Sequence, residues 1–288
     1  MPPLRELAPQ PTVSDSRTAT LAPHLARVRP AERPVKPAPM TATSLASGRG
    51  GDALVGGVDK HVPETLRPAL QIIKPRAGVR RVAGLYVLVT KRGDMYFLAD
   101  CTVNIEPTSE DLAQIAICAA QTARRFNVEP RVAMLSFSNF GSTQHPLVEK
   151  VQRAVALVKQ AEPALMIDGE MMADTAIVPE MIEQIYPFST LRGGANVLVF
   201  PDLTSANTCY KLLHRIGGGE TIGPILMGLS RPVHVIQRDT EVEEIVNIAA
   251  IAVVDSQERE GRAVSDLGES VARATHEEHT LPLEPSRR

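Results

Sequence analysis

The sequence has 288 residues, of which 31 are basic and 33 acidic, so its formal net charge is -2. Hydrophobic residues make up 43%, enough for a sizeable core, whereas aromatic residues make up only 3%. This balance excludes the basic face and the base-stacking platform of a nucleic-acid-binding protein. No apolar run approaches the roughly 20 residues that cross a membrane, and the first residues lack a signal-peptide pattern. We therefore expect a cytoplasmic protein with neither a nucleic-acid nor a membrane partner.

The two ends of the sequence differ from its middle. Residues 1–51 are rich in proline, with nine prolines among the first 39 positions and no apolar periodicity. Such a segment buries too little apolar surface to offset the entropy lost on ordering, so we predict that it is disordered. Residues 258–288 are charged and show no clear helical stripe. We expect a solvated tail there.

Neither the histidines nor the cysteines predict a metal site. His276 and His279 are three positions apart, whereas the zinc-protease motif separates its histidines by four, and no third ligand lies nearby in sequence. Cys101, Cys118 and Cys209 are widely spaced and lie in strand- or helix-like segments, as small buried thiols commonly do. We therefore expect no metal and no disulfide.

Between the two ends, strand-like and helix-like segments alternate. This pattern predicts an α/β fold made of strand-turn-helix units on a parallel sheet. The predicted strands are 53–58, 85–90, 95–99, 131–137, 165–168, 195–200 and 232–236. The predicted helices are 65–74, a helix capped by Thr108 or Ser109, 146–160, 179–185, 204–215 and 242–254. The turn at 91–94 predicts that the second and third strands form a hairpin.

A run of small polar residues, Ser136 to Ser142, lies between the end of a predicted strand and the start of a helix. Open sheets bind ligands at such positions, and hydroxyls with free backbone amides can hold a phosphate there. Gly141 would let the backbone approach such a ligand closely. The residues alone, however, favour an ordinary turn and helix cap over a phosphate site.

Two further runs have a structural interpretation. Asp168, Glu170 and Asp174 form a carboxylate cluster in what the pattern predicts to be a loop after a strand. Carboxylates in such loops are more often capping or structural groups than an acid/base pair. The glycines at 217–219 follow a helix without the spacing of a dinucleotide-binding fingerprint, so we interpret them as a helix stop.

Four stretches together carry a family resemblance: 64–71 (ETLRPALQ), 134–142 (MLSFSNFGS), 195–203 (ANVLVFPDL) and 217–228 (GGGETIGPILMG). In these stretches and their order, the sequence resembles the phosphate acetyl/butyryl transferases. The resemblance implies a two-domain phosphate acetyltransferase-like fold, related to that of isocitrate and isopropylmalate dehydrogenases. It implies a second domain at 78–224 and an incomplete first domain formed by 52–77 and 225–257.

The resemblance also implies ligands and site residues. The ligands are acetyl-CoA or CoA and phosphate, with no bound cofactor. The positions that match the family's substrate-binding residues are Arg67, Ser136, Ser138, Gly141 and Ser142. With the resemblance, the interpretation of the Ser136–Ser142 run changes from a turn to a loop that faces the substrate cleft.

The positions that match the family's catalytic residues are Gln237, Arg238 and Glu244. The stand-alone enzymes carry a Ser-Arg pair followed by an aspartate that resembles a base for the CoA thiol. Here a glutamine replaces the serine, and a glutamate one methylene longer replaces the aspartate. Arg238 keeps the guanidinium fork that binds oxyanions in two places.

These replacements leave several functions open. The Gln-Arg pair, with residues 80–84 and 187–189, is similar to the carboxyl-terminal transferase-like domain of hybrid (NADP-dependent) malic enzymes, which implies a regulatory acyl-CoA-binding module. The alternatives are an active acyltransferase and a truncated remnant without activity of its own. The resemblance further implies a homo-oligomer and, for the first hypothesis, a malic-enzyme domain encoded upstream.

Overall fold

The computed structural model describes residues 52–57, 62–236, 240, 242 and 244–257. The strands are β1 (Leu54–Gly57), β2 (Ala83–Val89), β3 (Met95–Ala99), β4 (Arg131–Leu135), β5 (Met166–Met171), β6 (Val197–Val199), β7 (Glu220–Met227) and β8 (Val233–Ile236). The helices are α1 (Val62–Ile72), α2 (Ser109–Arg125), α3 (Pro146–Ala161), α4 (Ala173–Ile177), α5 (Pro179–Ile185), α6 (Leu203–Ile216) and α7 (residues 244–257). The predicted disordered segment 1–51 and the predicted tail 258–288 lie outside the described residues.

The strands form one sheet in the order β1-β8-β7-β2-β3-β6-β4-β5. Four neighbouring pairs are parallel: β1 with β8, β3 with β6, β6 with β4, and β4 with β5. The pairs β2–β3, β2–β7 and β7–β8 are antiparallel. The α/β prediction is therefore confirmed with a mixed, mostly parallel sheet, and the predicted hairpin is confirmed as β2–β3.

Two sequence interpretations need correction. The stretch 217–228 was interpreted only as a helix stop and a motif, but it contains β7, whose glycine and proline residues conceal the strand pattern. The strand predicted at 165–168 extends to Met171 as β5. Glu170 therefore lies inside the same strand as Asp168, whereas the sequence pattern predicts a loop after residue 168.

The helix starts show why these segments fold locally as they do. The Thr108 hydroxyl accepts a hydrogen bond from the Asp111 amide at 3.2 Å, and the Asp111 carboxylate accepts one from the Thr108 amide at 3.2 Å. This capping box satisfies two amides that the first turn of α2 leaves unpaired. Asp202 caps α6 in the same way by accepting from the Ser205 amide at 2.8 Å. Of the two predicted caps for α2, Thr108 is the one used.

Two clusters of buried apolar side chains hold the described elements together. One joins α1 to β8 and the end of β7, through Leu66, Ala69, Ile73, Val82, Leu226, Leu229, Val233 and Val235. The other joins alternate residues of β2, β3, β4 and β6 to α4, α5 and α6, and includes Tyr86, Leu98, Leu135, Ile182 and Tyr210. On the opposite face of the sheet, Phe97 packs edge-on against Phe126 at the end of α2.

These clusters separate roughly along the predicted domains, although the boundary at residue 225 falls inside β7. The domain division itself stays a prediction. No helix among the described residues is long and apolar enough to cross a membrane.

Candidate functional site

Four parallel strands end at one edge of the sheet. Each strand in the series β3, β6, β4, β5 is parallel to the next, so their carboxyl ends lie side by side. The segments that leave this edge are 100–107, 200–202, 136–145 and 172 onwards. Because open α/β sheets bind ligands outside the carboxyl ends of their strands, this edge is the candidate site.

The segment after β4, residues 136–145, is held in place by a carboxylate of β5. One oxygen of Glu170, Oε1, accepts hydrogen bonds from the Ser138 hydroxyl at 2.9 Å and from the Gly141 amide at 2.7 Å. The backbone carbonyl of Glu170 accepts a third from the Phe140 amide at 2.9 Å. Ser138 and Glu170 are completely buried. A single glutamate therefore holds the loop at three positions, Ser138, Phe140 and Gly141.

The hydroxyl protons of the loop follow from these contacts. Ser138 gives its one hydroxyl proton to Glu170, and its oxygen accepts from the Thr143 amide at 3.2 Å. The oxygens of Ser138 and Ser142 lie 3.0 Å apart, so the hydroxyl of Ser142 must be the donor in that pair. The Asn139 amide donates to Ser142 at 3.1 Å. The hydrogen bonds thus run in one direction: the Ser142 hydroxyl donates to Ser138, and the Ser138 hydroxyl donates to Glu170.

The surface of the loop is formed by other residues than its interior. Ser142 and Gly141 are exposed, and Ser136 is half-buried. The Ser136 hydroxyl makes no hydrogen bond with any of the described residues. Gly141 has a φ of 83°, a conformation that only glycine adopts without strain, although its amide points inward to Glu170.

An aromatic cluster supports the same loop from outside. The Phe140 ring lies 5.0 Å from the rings of both Tyr186 and Phe188. Phe140 has a φ of 47°, which is uncommon for a bulky residue and is held by this packing together with its amide hydrogen bond. Phe188 is 67% exposed, so the cluster reaches the protein surface beside the loop.

The segment after β3 is organised by another buried carboxylate. The two oxygens of Asp100 accept from the amides of Gly84, Thr102, Val103 and Asn104 and from the side-chain amide of Asn104, at 2.6–3.1 Å. Five N–H donors thus compensate the charge of this carboxylate, and no basic side chain among the described residues forms an ion pair with it. Asp100 thus holds this segment in place at the edge, and no sequence pattern predicts this role.

A lysine that sequence reasoning missed lies at the same edge. Lys150 of α3 donates from Nζ to the carbonyl oxygen of Pro201, in the segment after β6, at 2.8 Å. Burial lowers the pKa of Lys150, although the nearby carboxylates of Asp202 and Glu106 oppose the effect. Its ammonium group therefore brings positive charge to the segment after β6, close to Asp202 and to Glu106 of the segment after β3.

Of the remaining residues predicted for the site, the structure describes Arg67 and Glu244. Arg67 is exposed on α1. Glu244 is half-buried on α7. Burial raises the pKa of Tyr86 well above its ordinary value, and the neighbouring Tyr210, Cys101 and Glu244 raise it further, so Glu244 lies near the stacked rings of Tyr86 and Tyr210. Gln237 and Arg238 lie outside the described residues.

The three cysteines lie in the described part of the chain. Cys101, Cys118 and Cys209 are free thiols. Among the residues that the structure describes, no group of His, Cys, Asp and Glu side chains could hold a metal ion. His276 and His279 lie outside that part of the chain.

The arrangement at the edge can bind an anion. Hydroxyls at the loop surface, a rigid backbone behind them and the ammonium of Lys150 are groups that bind phosphate oxygens. A family profile described as "Phosphate acetyl/butaryl transferase" matches residues 16–253. The chain belongs to this family.

Named relatives of this transferase family are similar over much of the chain. The chain is 45% identical over 206 residues to a "Phosphate acetyltransferase" of Bacillus subtilis (strain 168), covering 71% of this chain and 63% of that protein. It is 45% identical over 212 residues to a "Phosphate acetyltransferase" of Clostridium acetobutylicum, covering 72% and 64%. The chain thus spans somewhat less than two thirds of the length of these curated relatives.

The fold comparison agrees with the family assignment. The crystal structure of a phosphotransacetylase from Streptococcus pyogenes superposes with a TM-score of 0.71 at 40% sequence identity. The superposition covers 75% of this chain and 66% of that one. The mixed α/β sheet described above is therefore similar to that of a solved phosphotransacetylase.

Proposed function

We propose that this chain carries the acetyl-transferring site of a phosphate acetyltransferase, which moves acetyl between CoA and phosphate. The observation that carries the proposal is the Ser136–Ser142 loop at the carboxyl edge of the sheet, fixed by Glu170, with Ser142 exposed and Ser136 half-buried. The 45% identity to proteins named phosphate acetyltransferase supports the same chemistry.

The proposed reaction assigns one step to each group. Glu244 takes the proton of the CoA thiol, whose ordinary pKa of about 8.5 leaves it mostly protonated at neutral pH. The thiolate sulfur then bonds to the carbonyl carbon of acetyl phosphate, and the bond from that carbon to the phosphate oxygen breaks. Arg67, Arg238 and the loop hydroxyls stabilise the charge that develops on the phosphate.

A second candidate function is an acyl-CoA-binding regulatory module, as in the transferase-like part of a hybrid malic enzyme. Gln237 and Glu244 favour it, because they replace the serine and aspartate of the stand-alone enzymes while the groups that bind phosphate remain. This candidate includes a cytoplasmic location, self-association and a malic-enzyme domain encoded upstream as its further parts.

Turnover separates the two candidates. Purified protein is assayed for CoA-dependent loss of acetyl phosphate and for phosphate-dependent loss of acetyl-CoA. The transferase proposal predicts turnover in both directions that falls by about a hundredfold or more in Glu244→Gln, the usual size of a general-base effect. Glu220→Gln, at an exposed glutamate of β7, is the matched control and keeps full activity.

Binding measured in parallel identifies the alternative. If calorimetry detects acetyl-CoA, Arg238→Ala weakens it about ten- to a hundredfold, and no turnover is found, the regulatory module replaces the transferase. A folded protein with neither binding nor turnover contradicts both candidates. Turnover unchanged in Glu244→Gln removes Glu244 from the mechanism.

A further inference from the structure

We propose that Glu170 is a positioning residue that sets the affinity of the Ser136–Ser142 loop for phosphate. The inference rests on the proposed function, because it gives a role to a side chain that does not itself touch substrate. It also divides the loop into an inner group, Ser138 and Gly141, and an outer group, Ser136 and Ser142.

Glu170 lies on β5 and holds the loop that follows the neighbouring strand, β4. The hydrogen bonds to its Oε1 come from positions 32 and 29 residues away in sequence, so one strand of the sheet directly fixes the loop that leaves its neighbour. Asn139 adds a bond in the opposite direction, accepting from the Met172 amide at 2.7 Å. The loop therefore keeps one shape before a ligand arrives, which lowers the entropy cost of binding.

The second oxygen of Glu170, Oε2, is buried and has no hydrogen-bond partner among the described residues. None of the described lysines or arginines forms an ion pair with this carboxylate. Burying an unpaired acceptor in this way is costly, so the hydrogen bonds to the other oxygen must offset the cost. The Ser138 hydroxyl and the Gly141 amide are the donors that compensate this carboxylate, so the position of Glu170 is coupled to the loop.

The hydrogen bonds to Glu170 determine which loop groups can still donate to an anion. Ser138 and the Gly141 amide already give their protons to Glu170, so neither is available to phosphate. Ser142 gives its proton only to Ser138, and it can rotate outward because Ser138 keeps its bonds to Glu170 and to the Thr143 amide. Phosphate is then bound by the hydroxyls of Ser142 and Ser136, and Glu170 keeps them in position.

The same strand supplies a matched control. Asp168 lies two residues before Glu170 and braces a different segment, accepting from the Ser189 hydroxyl and the Thr190 amide at 2.8 Å each. It also accepts from Lys159 at 2.9 Å. Asp168→Ala therefore removes a buried carboxylate of the same strand that makes no hydrogen bond to the Ser136–Ser142 loop.

The experiment compares Glu170→Ala, Glu170→Gln and Asp168→Ala with the unchanged chain. Steady-state kinetics give KM for phosphate and for acetyl-CoA separately, and amide hydrogen exchange follows residues 136–145. Glu170→Ala is expected to raise KM for phosphate about tenfold or more, the equivalent of one lost hydrogen bond, with KM for acetyl-CoA within about twofold. Amide exchange in the loop accelerates in the same variant because local opening becomes easier.

Glu170→Gln tests the hydrogen bonds separately from the charge. The Gln side-chain oxygen can accept from both Ser138 and Gly141, so slow exchange and a KM for phosphate within about threefold of the unchanged chain are expected. Asp168→Ala lowers the melting temperature without a selective rise in KM for phosphate. If Glu170→Ala raises both KM values equally, or if Asp168→Ala changes KM for phosphate as much, Glu170 is only a stabilising residue and the proposal is wrong.

Two further outcomes are decisive. If Glu170→Ala does not fold, Glu170→Gln alone decides, because fast loop exchange in that variant would show that its hydrogen bonds do not hold the loop. If the unchanged chain shows no turnover, the proposed function fails, whereas the exchange comparison still confirms or contradicts the bracing of the loop.

Discussion

At the scale of single residues, the serines of one loop have different environments. Ser138 is buried and takes part in three hydrogen-bond contacts, with Glu170, Thr143 and Ser142. Ser136 is half-buried and its hydroxyl contacts none of the described polar groups. The family's serine pattern therefore combines one residue that maintains the loop with another that is available to a ligand.

This difference predicts opposite effects of two alanine substitutions. Ser138→Ala removes one of the two donors to the Glu170 carboxylate and leaves the Thr143 amide without its acceptor, so the free energy of unfolding falls by about 1–3 kcal/mol. Ser136→Ala changes stability by less than about 0.5 kcal/mol and instead raises KM for phosphate. Urea unfolding with matched kinetics measures both. Equal stability losses in the two variants would contradict the division of the loop.

The positions of the loop and its serines could be predicted from sequence, because a strand, a polar turn and a helix start are local patterns. The role of Glu170 could not, since its partners are about thirty residues away and a carboxylate in a strand gives no periodic signal. Lys150 was missed for a similar reason. Its contact with Pro201 spans 51 residues and depends on where α3 lies relative to the segment after β6.

At the scale of elements, β5 carries two carboxylates that are held differently. Burial alone would raise the pKa of Asp168, but hydrogen bonds from the Thr190 amide, Lys159 and Ser189 outweigh burial and hold it below its ordinary value. A carboxyl group whose pKa is lower in the folded protein stabilises the fold above its unfolded pKa of about 3.9. This stabilisation disappears as the pH falls through the folded pKa.

Asp168→Asn should therefore lose stability only where the carboxylate is charged. Its free energy of unfolding is expected to be lower than that of the unchanged chain at pH 7, with the difference shrinking below about pH 4. Urea unfolding at a series of pH values measures the difference. A gap that stays constant down to pH 2.5 would show that the charge of Asp168 contributes nothing.

The strand that sequence analysis missed, β7, depends on a glycine. Gly223 has a φ of 150°, and a Cβ there would lie 2.7 Å from the Tyr86 ring and 2.9 Å from the Leu85 carbonyl oxygen. The residue that permits this close pairing with β2 also removes the apolar alternation by which strands are recognised. The hairpin β2–β3 has ordinary turn residues and the helix α5 begins with a proline, which favours a helix start, and both predictions are confirmed.

Gly223→Ala should be far more costly than the same change at Gly56 of β1, where a Cβ would meet only a methyl group of Thr65 at 3.7 Å. We expect Gly223→Ala to lower the free energy of unfolding by about 2 kcal/mol or more, through strain and overpacking. Gly56→Ala should change it by less than about 1 kcal/mol. Thermal and urea unfolding of the pair measures both values, and similar losses would contradict the close approach of β7 to β2.

At the scale of the described chain, elements from both ends of the sequence complete the sheet. β1 pairs with β8 over four residues, and the Arg125 guanidinium at the end of α2 forms an ion pair with Asp255 of α7. Asp255 is 5% exposed, so this ion pair is largely shielded from water. The sequence predicted β1, β8 and α7 as separate elements but not these long-range contacts.

One register pair, Ile225 with His234, joins β7 to β8, whereas β7 pairs with β2 at six positions. The backbone pairing is therefore sparser here, and we expect β1, α1 and β8, which share one apolar cluster with Leu226 at the end of β7, to unfold locally as a unit. Native-state hydrogen exchange should show their amides losing protection together, at lower denaturant than β2, β3, β4 and β6. Under mild denaturing conditions the chain would then lose this outer part of the sheet first, while the strands that carry the Ser136–Ser142 loop stay folded.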